Sequence, residues 1–178
     1  MEAFRNKLTE KIDLTKPTVT MCISTGCEAL GAKEVLAAFK DEFKKQGLEG
    51  KVNIKQTGCL GFCEKGPRVV IYPQDIAYFK VQASDVPEIV SKSILKSEVV
   101  DRLLYADPNT GEKAKRLSDV PFYKYQNRIL MDNNSKIDPK KINDYIGLGG
   151  YMALSKVLFE MTSMYFPARS PWRRDVRF

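Results

Sequence analysis

The stretch TGCLGFCEKGPRVVIYP, residues 57–73, joins a glycine-rich loop with two cysteines to an apolar segment. Cys59 and Cys63 are separated by three residues, and three glycines and a proline surround them. A disulfide would not need these glycines, whereas a bound metal centre would, because glycine lets the backbone approach a ligand closely. The segment RVVIYP (68–73) has the β-branched composition of a buried strand.

The other two cysteines lie earlier in the chain, where a predicted strand is followed by a predicted helix. TVTMCIS (18–24) alternates apolar residues on one face, which places Cys22 on the opposite face near the end of the strand. Cys27 precedes the helix. The helix is indicated by apolar residues at i, i+3, i+4, i+7 and i+11, namely Ala32, Val35, Leu36, Phe39 and Phe43.

The order of the predicted elements favours an α/β domain over residues 18–97. KVNIKQT (51–57) is a second strand, and a strand–helix–strand order predicts two parallel strands joined by a crossover. RVVIYP and IAYFKV (76–81) predict an antiparallel pair. Ser84 is then expected to cap a helix with the apolar residues Val86, Ile89, Val90, Ile94 and Leu95. The prediction is a mixed sheet flanked by helices.

The four cysteines are expected to meet at one rim of this sheet. In a crossover unit, two parallel strands end at the same edge, so the two loops bring four thiols together. Four cysteines hold a [2Fe-2S] cluster, and neighbouring glycines would let backbone N–H groups approach its sulfides: Gly26, Gly58, Gly61 and Gly66. Zinc favours tighter C-x2-C knuckles. The spacing favours an iron–sulfur centre and leaves zinc, disulfides and inert thiols open.

Composition excludes several other classes of protein. The 178 residues are 43% apolar and 29% charged, which is typical of a soluble globular protein. The sequence contains neither a run of 18 apolar residues nor an N-terminal secretory pattern, so the expected location is the cytoplasm, without membrane insertion. The net charge is +7, but residues 161–178 hold four arginines and one aspartate. The body is not strongly basic, and nucleic-acid binding is not expected.

The sequence after residue 97 changes in character. Residues 98–137 carry turn signals at 107–111 and no long apolar period, which predicts an extended connector with a short strand at NRILM (127–131). A helix is expected to begin at Pro139, with Asp138 as its N-cap residue. A second helix is expected from YMALSKVLFEM, with inward-facing Tyr151, Leu154, Val157, Leu158 and Met161.

The segment GCLGFCEKGPRVVIYP, together with the earlier C-x4-C, resembles the thioredoxin-like [2Fe-2S] ferredoxin domain over residues 18–97. Three later segments are similar to the start of a flavin-bearing, NADH-binding subunit: RLLYADPNTGEK, PFYKYQNRIL and IDPKKINDYIGLGGYMALSKVL. Such subunits occur in complex I and in NAD(P)-linked hydrogenases and formate dehydrogenases. The resemblance implies Cys22, Cys27, Cys59 and Cys63 as cluster ligands, and electron transfer with other redox subunits as the function.

The resemblance also implies what a full-length relative would add. FMN, NAD and a [4Fe-4S] cluster are bound downstream in that family, so no catalytic residue is implied here and the chain is not expected to be catalytic alone. The basic tail, residues 163–178, departs from the family pattern, and this departure suggests a truncation or a frame change. The alternatives are a freestanding ferredoxin with a docking arm and a zinc-stapled interaction module. The predicted division is an N-terminal segment (1–17), the ferredoxin domain (18–97), a connector (98–137), the helical start of an incomplete flavin domain (138–162) and the tail (163–178).

Overall fold

A four-stranded mixed sheet forms the centre of the computed structural model, which describes residues 2–9 and 16–161. Its strands are β1 (Thr18–Cys22), β2 (Asn53–Thr57), β3 (Val69–Tyr72) and β4 (Ile76–Tyr78). Their spatial order is β2-β1-β3-β4. β1 is parallel to β2 and antiparallel to β3, and β3 is antiparallel to β4. The predicted crossover, antiparallel pair and mixed sheet are confirmed.

One face of the sheet is covered by helices. The first helix, α1 (Glu2–Thr9), has no buried residue and is not part of this layer. The layer consists of α2 (Thr25–Glu28), α3 (Ala32–Lys45) and α4 (Val86–Ile89), the last of which continues as a π turn, Val90–Ile94. The apolar face predicted for α3 is buried, and with Val19 and Met21 of β1 it forms the main core. Burying a side chain such as Phe39 contributes about 1.5–3 kcal/mol, so this face holds α3 in place.

The start of the helical segment after β4 differs from the prediction. Gln82, not Ser84, occupies the N-cap position, and the Gln82 N–H donates to the Asp85 carboxylate at 2.8 Å. The reciprocal bond from the Asp85 N–H completes a capping box. Leu95 is mostly exposed, because the π turn ends the helical segment before that side chain returns to the core.

The other face of the sheet is covered by residues that follow position 97. A hairpin of β5 (Tyr105–Ala106) and β6 (Lys113–Ala114), with its turn at the predicted residues, precedes α5 (Pro121–Lys124). The Ala77 N–H of β4 donates to the Lys115 carbonyl at 2.9 Å. A second core forms here from Leu60, Val70, Ala77, Phe79, Tyr105, Val120 and Tyr123. The connector is therefore packed against the sheet.

The strand predicted at NRILM is wrong. Residues 129–131 form a turn, in which Ile129 and Leu130 are 83% and 93% exposed. The segment has an apolar composition suited to a strand, but none of its residues pairs with a strand of either sheet in the described structure.

The two C-terminal helices exist but are less buried than predicted. α6 (Ile142–Gly147) begins after residues 139–141, which form a turn in which the Asp138 carboxylate accepts from the Lys140 N–H at 3.0 Å. α7 (Met152–Glu160) has no buried residue, so the predicted inward face is wrong. The tail from residue 163 lies outside the described residues. Within the described ranges, no helix has the length and apolar character needed to cross a membrane.

Candidate metal centre

The sheet register brings the two cysteine loops to one edge. Cys22 is the last residue of β1 and pairs with Thr57, the last residue of β2. Cys27 follows in α2, and Cys59 lies two residues after Thr57. Cys63 begins a 3-10 turn, Cys63–Lys65. The two parallel strands thus end level with each other, and both loops leave from the same rim.

All four cysteines are free thiols. Cys22 and Cys27 are buried and their side chains are hydrogen-bonded to each other, while Cys59 and Cys63 are half-buried with their sulfurs 3.8 Å apart. Across residues 2–9 and 16–161, no three Cys, His, Asp or Glu side chains are grouped closely enough to hold one metal ion. The thiols are arranged as two pairs.

Glycines lie between the two loops. A Cβ atom added to Gly26 would lie 3.3 Å from the Cys63 Sγ, and one added to Gly66 would lie 3.1 Å from the Cys27 Sγ. Because Gly26 and Gly66 have no side chain, a cysteine sulfur of the opposite loop can lie close to the backbone of each.

The other two predicted glycines face the connector. Added Cβ atoms at Gly58 and Gly61 would meet the side chains of Asn134 and Phe122 at 3.3 and 3.2 Å. Gly61 has a φ of +78°, which favours glycine, and its N–H donates to the Cys59 Sγ at 3.3 Å. Gly61 thus supplies a backbone donor to a candidate ligand and also a close contact with the connector.

Hydrogen bonds between thiols shift the pKa values of Cys22, Cys27 and Cys63. The hydrogen bond from Cys27 lowers the pKa of Cys22 to about 5, against the opposing effect of burial. The same hydrogen bond, followed by burial, raises the pKa of Cys27, since its proton is held between the two sulfurs. The hydrogen bond with Cys59, again followed by burial, raises the pKa of Cys63. Metal binding would have to displace the remaining thiol protons.

The connector contacts the second cysteine loop directly. The Asn134 side-chain N–H donates to the Cys59 carbonyl at 2.7 Å, and the Gly58 N–H donates to the Asn134 carbonyl at 3.2 Å. The ring of Phe122 stacks on Phe62 with a centroid separation of 4.4 Å. These residues were not predicted from the sequence. They lie 60 or more positions from the loop in sequence, and no local pattern marks such contacts.

The donor set and the shape of the rim fit a [2Fe-2S] cluster. Such a cluster takes four cysteine ligands, which the two pairs provide, and its sulfur atoms accept backbone hydrogen bonds of the kind that Gly61 makes. Gly26 and Gly66 allow the sulfurs of Cys63 and Cys27 to lie against the backbone of the opposite loop, which keeps thiols of the two loops close together.

Sequence comparison defines the class of protein. Residues 8–93 match the family model of the thioredoxin-like [2Fe-2S] ferredoxin. A 2Fe-2S ferredoxin from Clostridium pasteurianum is 40% identical over 77 residues, which are 43% of this chain and 76% of that protein. One from Aquifex aeolicus (strain VF5) is 38% identical over 79 residues, covering 44% and 71%. The chain belongs to the thioredoxin-like [2Fe-2S] ferredoxin family, and its cofactor is a [2Fe-2S] cluster.

Two further relatives extend the comparison. The NADP-reducing hydrogenase subunit HndB of Solidesulfovibrio fructosivorans is 27% identical over 92 residues, which are 50% of this chain and 72% of that subunit. The crystal structure of the wild-type thioredoxin-like [2Fe-2S] ferredoxin from Aquifex aeolicus aligns with a TM-score of 0.46 at 32% identity. The alignment covers 51% of this chain and 97% of that one.

Proposed function

We propose that the chain is a one-electron carrier of an NAD(P)H-dependent oxidoreductase, with Cys22, Cys27, Cys59 and Cys63 as the ligands of its cluster. When bound, a [2Fe-2S] cluster accepts one electron and later returns it. The observation that supports this assignment is the meeting of two loop-borne pairs of free thiols at one rim of the sheet. Among the described residues, these loops hold all the cysteines.

The residues around the thiols have separate roles in this proposal. Cys22 and Cys27 form the buried side of the site, whereas Cys59 and Cys63 are half-buried and form its outer side. Electron exchange with a partner therefore takes place through the outer side, beside the loop 59–63. The Gly61 N–H stabilises charge on the Cys59 sulfur, which favours the reduced state.

The assignment to a multi-subunit complex is the finer part of the proposal. It is supported by the similarity to a hydrogenase subunit and by the resemblance of segments within residues 102–158 to the start of a flavin-bearing, NADH-binding subunit. The immediate electron donor would then be a flavin that NADH or NADPH has reduced. Four free thiols favour a reducing compartment, so we place the protein in the cytoplasm.

Anaerobic reduction tests this role. NADH alone should leave the visible absorbance of the cluster unchanged, whereas NADH with a flavin-dependent NADH–ferredoxin reductase should bleach it with the uptake of one electron per chain. Uptake of two electrons per chain, or no bleaching by the reductase or by dithionite, would contradict a one-electron carrier.

A freestanding ferredoxin is the second candidate, favoured by the two relatives that are named simply as ferredoxins. In that case the packed connector serves the ferredoxin itself. Affinity purification of the chain from its native cells distinguishes the two candidates. Stoichiometric co-purification of a flavin-containing subunit supports the complex, and a cluster-loaded chain that purifies alone supports the freestanding protein.

A further inference from the structure

Arg68 is a buried cation beside the cysteine rim. It follows the second cysteine loop directly, precedes β3, and is only 5% exposed. No carboxylate lies within ion-pair distance of its guanidinium in the part of the chain that the structure describes. A buried charge is costly unless an opposite charge or hydrogen bonds compensate for it.

The connector holds the Arg68 side chain in place. Its Nη1 donates a hydrogen bond to the Tyr123 hydroxyl, and the guanidinium carbon lies 5.7 Å from the centre of the Tyr123 ring. Arg128 lies over the same ring at 5.3 Å and donates to the Leu60 carbonyl within the cysteine loop. These contacts fix the position of the guanidinium but supply no negative charge, since tyrosine and a backbone carbonyl are neutral acceptors.

The cysteine rim lies beside Arg68 and would carry negative charge when a cluster is bound. Arg68 and Cys22 line the same small cavity, together with Thr57 at the end of β2 and Leu60 of the loop. Four thiolates with two ferric ions and two sulfides have a net charge of about −2, which becomes about −3 on reduction. A fixed cation at this place would be compensated by the loaded site and would stabilise the reduced state more than the oxidised state.

We propose that Arg68 is the buried counter-charge of the cluster and that Tyr123 positions it. This inference rests on the proposed ligand assignment and deepens it, because it makes the connector part of the redox site. Arg68 is a positioning residue for charge and does not ligate iron. Its removal should therefore lower the midpoint potential while the number of bound irons stays the same.

Spectroelectrochemical titration of the loaded protein measures this effect. Arg68→Met keeps an apolar stem of similar length and removes the charge. At a fixed electrode potential it should lower the ratio of reduced to oxidised cluster about tenfold, which is a shift of about 59 mV for one electron. Lys40→Gln removes the same charge from an exposed position on α3 and should change that ratio by less than about twofold.

Two further variants separate charge from packing. Arg68→Lys should keep the midpoint potential near that of the wild type, and Tyr123→Phe should lower it by less than Arg68→Met does. If the Arg68→Met protein holds no cluster, the iron content per chain is measured instead of the potential. The Arg68→Lys protein should then bind iron as the wild type does, whereas the Arg68→Gln protein should not. A loaded Arg68→Met protein with an unchanged potential, or equal iron loss in the Lys and Gln variants, would overturn the proposal.

The controls distinguish this outcome from failure of the proposed function. If the wild-type chain holds no iron and sulfide after anaerobic reconstitution, the ligand assignment itself is wrong. If the wild type is loaded and the Arg68 variants behave as the control does, the ligand assignment stands and only the role of Arg68 is refuted.

Discussion

Asn134 links the connector to a candidate ligand, and its removal should accelerate loss of the cluster. Its side chain donates to the Cys59 carbonyl at 2.7 Å, and its carbonyl accepts from the Gly58 N–H at 3.2 Å. Asn134→Ala removes the first of these bonds and leaves the second, since the backbone is unchanged. The carbonyl beside Cys59 then loses its partner in a half-buried position.

The size of the effect follows from the cost of that lost bond. A hydrogen bond contributes about 0.5–1.5 kcal/mol net, and an acceptor left without a partner costs about 1–3 kcal/mol. For a half-buried carbonyl we take about 1–2 kcal/mol, which is a factor of about 5–30 in the opening equilibrium of the loop. If iron leaves through this opening, the rate of cluster loss should increase about 5–30-fold.

The assay is the anaerobic decay of visible cluster absorbance in an excess of an iron chelator. Asn133→Ala is a matched control, because Asn133 lies in the same 3-10 turn, Asp132–Ser135, with an exposed side chain. It should decay at the wild-type rate. Equal decay rates in Asn134→Ala and the wild type, or equal acceleration in both variants, would refute the claim that this bond closes the loop.

Three further predictions concern the thiols, the glycines and the C-terminal helices. Metal-free protein should gain thiolate absorbance as the pH rises through about 5, because the Cys22 pKa is lowered to that value, and Cys22→Ser should abolish this step. Gly66→Ala should reduce the amount of iron bound per chain, because the new Cβ would lie 3.1 Å from the Cys27 Sγ. In the control Gly147→Ala the new Cβ has no neighbouring atom within 4 Å, so this variant should bind as much iron as the wild type. Phe159 of α7 is 83% exposed, and an exposed apolar side chain favours self-association, so the wild type should associate with rising concentration in sedimentation velocity and Phe159→Ser should do so less. An unchanged profile would show that α7 is not involved.

The sheet and its first helix could be predicted because their signals are local. Alternation placed Val19 and Met21 on one face and Cys22 on the other, and the structure places them in two different clusters. The 3.6-residue period of α3 likewise identified its buried face. Since parallel strands end at one edge, the meeting of the two cysteine loops followed from the order of the elements.

The role of the connector could not be predicted, because it depends on contacts between distant residues. Asn134 and Phe122 carry no local pattern, and they contact the cysteine loop only because the connector folds onto the second face of the sheet. The sequence suggests that Arg68 is the polar first residue of a strand, yet its side chain is buried and donates a hydrogen bond to Tyr123. The apolar residues of α7 suggested a buried face, but the helix has no buried residue.

Electron paramagnetic resonance of the reduced protein shows whether the four cysteines hold one [2Fe-2S] cluster. Anaerobically purified wild type should give an S = 1/2 signal of about one spin per chain after one-electron reduction. The signal should disappear or shift its g values when serine replaces Cys22, Cys27, Cys59 or Cys63. Stoichiometric zinc without such a signal after reconstitution, or an unchanged signal in any of the four variants, would show that these cysteines do not together ligate a [2Fe-2S] cluster.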